Sequence, residues 1–167
     1  MLAFDPIDEA RAHWETHGWG DAAAGMAVVT SVMRVQQLLL AQVDATLRPH
    51  GLTFARYEVL MLLTFSSRGS MPLGKIGERL QVHPASVTNA IDRLESQRLV
   101  RRIAHPTDRR TTLAALTVKG RTLANRATLD MNDLFRTIDV DDRLFELLRE
   151  VRAAAGDFAR FGADERT

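Results

Sequence analysis

Apolar residues recur at three- and four-residue intervals over most of this chain, the spacing of helices that bury one face. Asp5-Pro6 supplies a cap and a first-turn proline for a short helix on which Ile7, the Arg11 stem and Trp14 share a face, and Gly18-Trp19-Gly20 stops it. A long helix is predicted from about residue 21 to 47 on the repeat Val28, Val32, Val35, Leu39 and Val43, ended by Pro49-His50-Gly51. Thr53 is expected to cap a third helix with Tyr57, Leu60, Met61 and Thr64 on one side, and residues 66–70 read as a loop. Met71-Pro72 opens a short helix with Leu73, Ile76 and Leu80 inward. Only Gln81-Val82-His83 follows before Pro84 starts another, whose inner face is Val87, Ile91 and Leu94.

Two short helices joined across three residues predict a helix-turn-helix. Residues 99–104 then read as a strand, 105–110 as a turn and 111–116 as a returning strand. Thr117 caps a helix carrying Leu123, Ala127, Met131, Leu134 and Ile138. Asp139 is expected to start a last helix with Leu144, Leu147, Leu148, Val151 and Phe158, before a frayed tail at 162–167. The predicted fold is mainly α with a small two-stranded β wing. It is a winged helix-turn-helix over 51–117, between long dimerisation helices in 1–50 and 118–167.

Composition narrows the chemistry. The 167 residues contain no Cys, which excludes a disulfide framework, thiolate zinc and a Cys nucleophile. There is no Gly-rich loop followed by Lys-Ser or Lys-Thr and no Gly-x-Ser-x-Gly elbow, so neither a catalytic residue nor a cofactor is expected. His13 and His17 share a helix face at i, i+4 but lack a third ligand at suitable spacing, so no metal site is expected, and a metal-responsive regulator stays an alternative. No apolar run approaches the roughly 20 residues that span a bilayer. The acidic start at Asp5, Asp8 and Glu9 is unlike a signal peptide, so a cytoplasmic protein without a membrane partner is expected.

Charge changes the picture more. The formal net charge is only +1, yet residues 75–110 hold eight basic residues against four acidic ones. A basic middle between neutral-to-acidic flanks is an electrostatic footprint for double-stranded DNA. The outer face of the helix from Pro84 offers Ser86, Thr88, Asn89 and Arg93, the small polar and Arg/Asn types that read base edges in a major groove. Lys75 and Arg79 could hold flanking phosphates. Arg109 and Arg110 at the wing tip could enter a minor groove, with the Asp108 carboxylate expected to accept from the Arg110 guanidinium and aim it. An architectural or protein-interaction module that reads no sequence is the competing interpretation.

The motifs also carry a resemblance. Gly51-Leu52-Thr53, Tyr57-Glu58-Val59-Leu60, Ile76-Gly77-Glu78-Arg79-Leu80, the run from Ser86 through Val87-Thr88-Asn89-Ala90-Ile91-Asp92-Arg93-Leu94 to Glu95, Leu99-Val100-Arg101-Arg102, Asp108-Arg109-Arg110 and Leu116-Thr117-Val118-Lys119-Gly120-Arg121 together resemble the MarR family of bacterial transcription regulators. The resemblance implies a homodimer built from the terminal helices, a pseudo-palindromic operator, and repression relieved by a small-molecule effector. Asp5-Pro6-Ile7 with Trp14 resembles the added helix of the urate-responsive subgroup. That subgroup implies Trp14, Glu58 and Arg102 as ligand-binding residues. Glu58 stands where the subgroup has Asp and Ala90 where it has Arg. Loss of one of two arginines removes a bidentate anion clamp, so another small anionic or aromatic ligand is expected in place of urate.

Overall fold

The computed structural model describes residues 3–108, 110–138 and 140–156. Two compact units meet between Ala45 and Thr46. In the first, the Asp5 carboxylate accepts the Ile7 N–H at 2.8 Å and starts α1 (Pro6–Thr16). α2 (Gly20–Leu47) follows and runs for 28 residues into a single 3-10 turn at Arg48–His50. The expected repeat on α2 is mostly uncovered: Val28, Val32 and Val35 are exposed, whereas Val43 and Leu47 are buried. The expectation that no apolar run is long enough to cross a bilayer needs correction. Gly20–His50 passes that test by length and composition, with a mean hydropathy of 1.3, because Asp21 and Arg34 are widely spaced among alanines, valines and leucines.

The second unit is built round α3 (Phe54–Phe65), which packs on α6 (Val118–Thr137) and on α5 (Pro84–Ser96). Thr53 occupies the cap position of α3 without capping it, since its hydroxyl takes the Arg56 Nε–H at 3.2 Å. Leu60, Leu63, Ile76, Ile91, Leu94, Leu99 and Met131 are fully buried and form the core. At about 1.5–3 kcal/mol for each large side chain removed from water, this cluster dominates the stability of the unit.

The sheet has three strands, one more than expected. β1 (Ser70–Pro72), β2 (Val100–Ala104) and β3 (Thr112–Leu116) lie in the order β1-β3-β2, antiparallel throughout. Met71 pairs with Ala114 and is buried. Ser70 to Pro72 therefore closes the sheet, and α4 (Leu73–Leu80) starts one residue after it.

After β3, Thr117 caps α6 by accepting the Gly120 N–H at 2.9 Å. Gly120 lies against the backbone of Leu99, where any Cβ would overlap the Leu99 carbonyl oxygen, so this contact requires glycine. His50 donates from Nε2 to Asp130 at 2.7 Å, and its Nδ1 is buried without a partner. The last helix, α7 (Asp142–Ala154), is capped by Asp141, which accepts the Leu144 N–H at 3.1 Å, two residues beyond the predicted Asp139. Asp139, Phe158 and the predicted tail at 162–167 lie outside the described residues. Leu144, Phe145, Leu147, Leu148 and Val151 of α7 are all exposed.

Candidate nucleic-acid interface

The turn between α4 and α5 is fixed by backbone geometry. Gln81 ends α4 in the left-handed region at φ 55°, and the Val82 N–H returns to the Gly77 carbonyl at 3.1 Å. A Cβ on Gly77 would press on the Val82 carbonyl at 3.3 Å and on the Val87 methyl at 3.4 Å, so the missing side chain lets the two helices close up. His83 is the cap of α5: its Nδ1 accepts the Ala85 N–H at 3.1 Å, and Pro84 fills the first helical position. The sequence places His83 in the connection between the two helices but does not reveal this capping bond.

Val87, Ile91 and Leu94 bury the inner face of α5. Pro84, Ser86, Thr88, Asn89 and Arg93 are exposed. At 100° per residue, Asn89 and Arg93 stand one turn apart on the side opposite the buried stripe. The Thr88 hydroxyl donates to the Pro84 carbonyl at 3.2 Å, so its methyl and oxygen lone pairs are what it offers outward. Lys75 is exposed on α4. Lys75, Arg79, Arg93, Arg101 and Arg110 have no ion pair among the described residues, which leaves the face cationic.

The wing turn is organised by a carboxylate, in a different way from that expected. Asp108 accepts the Arg110 backbone N–H at 2.9 Å and the Thr111 hydroxyl at 2.6 Å, and not the Arg110 guanidinium. The two donors, with the Thr111 hydroxyl foremost, hold its carboxyl below the usual aspartate range. A carboxylate two residues back reaches the amide more easily than the end of a long side chain. Asp108 thus shapes the turn and leaves the exposed Arg110 side chain without an ion pair among the described residues. His105 adds to the turn by accepting the Asp108 N–H at 3.2 Å. Arg109 lies outside the described residues.

Arg102 has a role the sequence reading missed. Its guanidinium reaches Asp92 at 2.5 Å and also pairs with Glu95, and its backbone N–H donates to Glu95 at 2.8 Å. The Arg102 amide and guanidinium hold the Glu95 carboxyl below the usual glutamate range. Asp92 and Glu95 are one turn apart on α5, and Arg102 is the third residue of β2, so the triad ties α5 to the wing. The signal was present as two acids at i, i+3 followed by an arginine on the next strand.

The other two residues expected to bind ligand lie on separate helices. Glu58 is half-buried on α3, with no hydrogen bond to its carboxylate among the described residues, and burial pushes its pKa up. Trp14 is half-buried on α1 with its ring edge-on to Trp19 at 5.6 Å.

Helix, glycine-tightened turn, exposed polar helix and clamped wing together define a winged helix-turn-helix of the kind found in transcriptional regulators. A MarR-family model matches residues 52–112. The HTH-type transcriptional regulator MhqR of Bacillus subtilis is 36% identical over 103 residues, covering 60% of this chain and 65% of MhqR. The structure of Sco5413, a MarR family transcriptional regulator from Streptomyces coelicolor, is 51% identical with a TM-score of 0.72, covering 81% of this chain and 97% of that one. CouR from Rhodococcus jostii RHA1, solved bound to p-coumaroyl-CoA, is 25% identical with a TM-score of 0.68 over 80% of this chain and 94% of CouR. The chain belongs to the MarR family. MhqR and Sco5413 are transcriptional regulators.

Proposed function

We propose that this protein is a sequence-specific DNA-binding regulator, a repressor that grips a pseudo-palindromic operator as a homodimer and is released by a small-molecule effector. The observation that carries the reading is the exposed, uncharged first turn of α5, held at a fixed angle to a cationic wing by the triad of Asp92, Arg102 and Glu95. Ser86, Thr88, Asn89 and Arg93 would face base edges, Lys75 the flanking phosphates, and Arg110 a minor groove. Residues 51–117 would do the reading. Residues 1–50 and 118–167 would supply the dimer surface, because Val28, Met33 and Leu38 of α2 and Leu144, Phe145 and Leu147 of α7 are exposed apolar side chains that a second copy can cover. That occupant also suits the long apolar α2 better than lipid does, since Asp21 and Arg34 sit within it.

For the effector, CouR supports a fold that holds organic ligands. The resemblance to the urate-responsive subgroup supports a role for Trp14, but Arg102 is already taken by two carboxylates, so an aromatic ligand fits better than a urate-like anion. Among the described residues no further His, Cys, Asp or Glu joins His13 and His17 in a group that could hold a metal ion, so nothing there supports the metal-responsive alternative.

A mobility-shift assay at stated salt, on DNA upstream of the protein's own gene, tests the reading. A specific complex is expected, weakened by roughly 1–3 kcal/mol in Arg110→Ala. Equal affinity for random DNA, with no effect of Arg110→Ala, would mean an architectural module.

A further inference from the structure

Where α1 meets α2 there is an open groove of about 460 Å³ that no step of DNA reading uses. Its lining includes Trp14, Asp21, Gly25, Met26, Val29 and Thr30. Apart from Trp14, all these residues lie on α2, and 21, 25 and 29 recur at four-residue spacing, which puts them along one face of that helix. The Trp14 ring is steadied by its edge contact with Trp19, and the Trp19 N–H to the Trp14 carbonyl at 2.9 Å closes the junction behind it. Gly25 leaves bare backbone in the groove, with open space where a Cβ would stand. The volume falls within the roughly 300–1,000 Å³ range of small-molecule sites.

The charge of the lining selects the ligand. Asp21 is the one charged residue among the lining residues, and no Lys, Arg or His faces it there. An indole face carries negative potential and attracts cations, as a carboxylate does. Valine and methionine on the remaining wall favour an apolar body. An aromatic acid placed here would meet a carboxylate and no counter-charge.

We propose that this groove binds a small organic cation, an aromatic amine whose ring lies against Trp14 and whose ammonium pairs with Asp21. The proposal deepens the effector part of the reading above, and only its link to operator release rests on that reading.

The test uses two probes with one ring and opposite charge, naphthylmethylamine and naphthylacetate, titrated calorimetrically into the full chain without DNA. The amine is expected to bind at least ~10-fold tighter than the acid. Asp21→Asn is expected to bring the two within about 2-fold of each other. Gly25→Leu places a side chain in open space on a helix that gains propensity from it, so it should fold and lose amine binding. A melting curve checks that it folds.

Preference for the acid, or amine binding indifferent to both substitutions, overturns the site. So does a change of oligomeric state in Gly25→Leu, because the groove would then belong to a second copy. Amine binding with no specific DNA complex would leave the site standing and overturn only the regulator reading.

Discussion

Glu58 shows how a single side chain can work against the fold. Its carboxyl is half-buried on α3 with no hydrogen-bond donor among the described residues, and its pKa is raised by burial. Between the unfolded value and the raised folded one, the native state binds more protons than the unfolded chain, so stability falls as pH rises through that window. At neutral pH the ionised carboxylate is therefore a net cost. Glu58→Gln is expected to melt higher than the parent at pH 7, by less than about 1 kcal/mol given its partial exposure, and to lose that advantage below the usual glutamate range. Melting temperatures of both proteins across pH 4 to 8 on the order of one-unit steps would check this, and a variant that is less stable at pH 7 would refute it. From sequence, Glu58 could be placed on a helix but its half-burial could not, because its neighbours come from other elements.

Among the elements, the clamp between α5 and β2 is where packing and charge set the placement of the wing against the helix. The Arg102 side chain is 29% exposed, so the pair energies are screened, and Arg102→Met is expected to lower stability by about 1 kcal/mol. Arg102→Lys should recover less than half, because an ammonium cannot reach Asp92 and Glu95 with a planar fork. A double-mutant cycle with Glu95→Gln in denaturant would show coupling, and additive effects would refute the clamp. Glu95 titrates low, so its contribution is full above the usual glutamate range and fades as pH falls through the folded value.

The helices of this unit were legible because Val87, Ile91 and Leu94, or Leu123, Ala127 and Met131, repeat with the helical period. β1 was not, since three residues containing a proline carry no alternation, and their partner is Ala114, over 40 residues away. The cap by His83 and the turn formed by Asp108 were hidden for the opposite reason. Such bonds join neighbours in the chain, and residue type alone does not say whether a side chain prefers the amide beside it or a distant group.

For the whole molecule, the sequence anticipated helices at α1, α2, α5, α6 and α7 and the strands β2 and β3, but could not show how exposed α2 is. Val28, Met33, Val35 and Leu38 are between 49% and 60% exposed. If two copies associate there as proposed, unfolding is coupled to dissociation, and the melting temperature should climb over a hundredfold rise in protein concentration, about 2.7 kcal/mol of mass action at the limit. A melting temperature indifferent to concentration would argue against it. The uncovered valines of α2 then set a dose threshold. Below some number of copies per cell the subunits would part and unravel, so, if the protein represses as proposed, the amount synthesised as well as any inducer would decide whether a promoter stays shut.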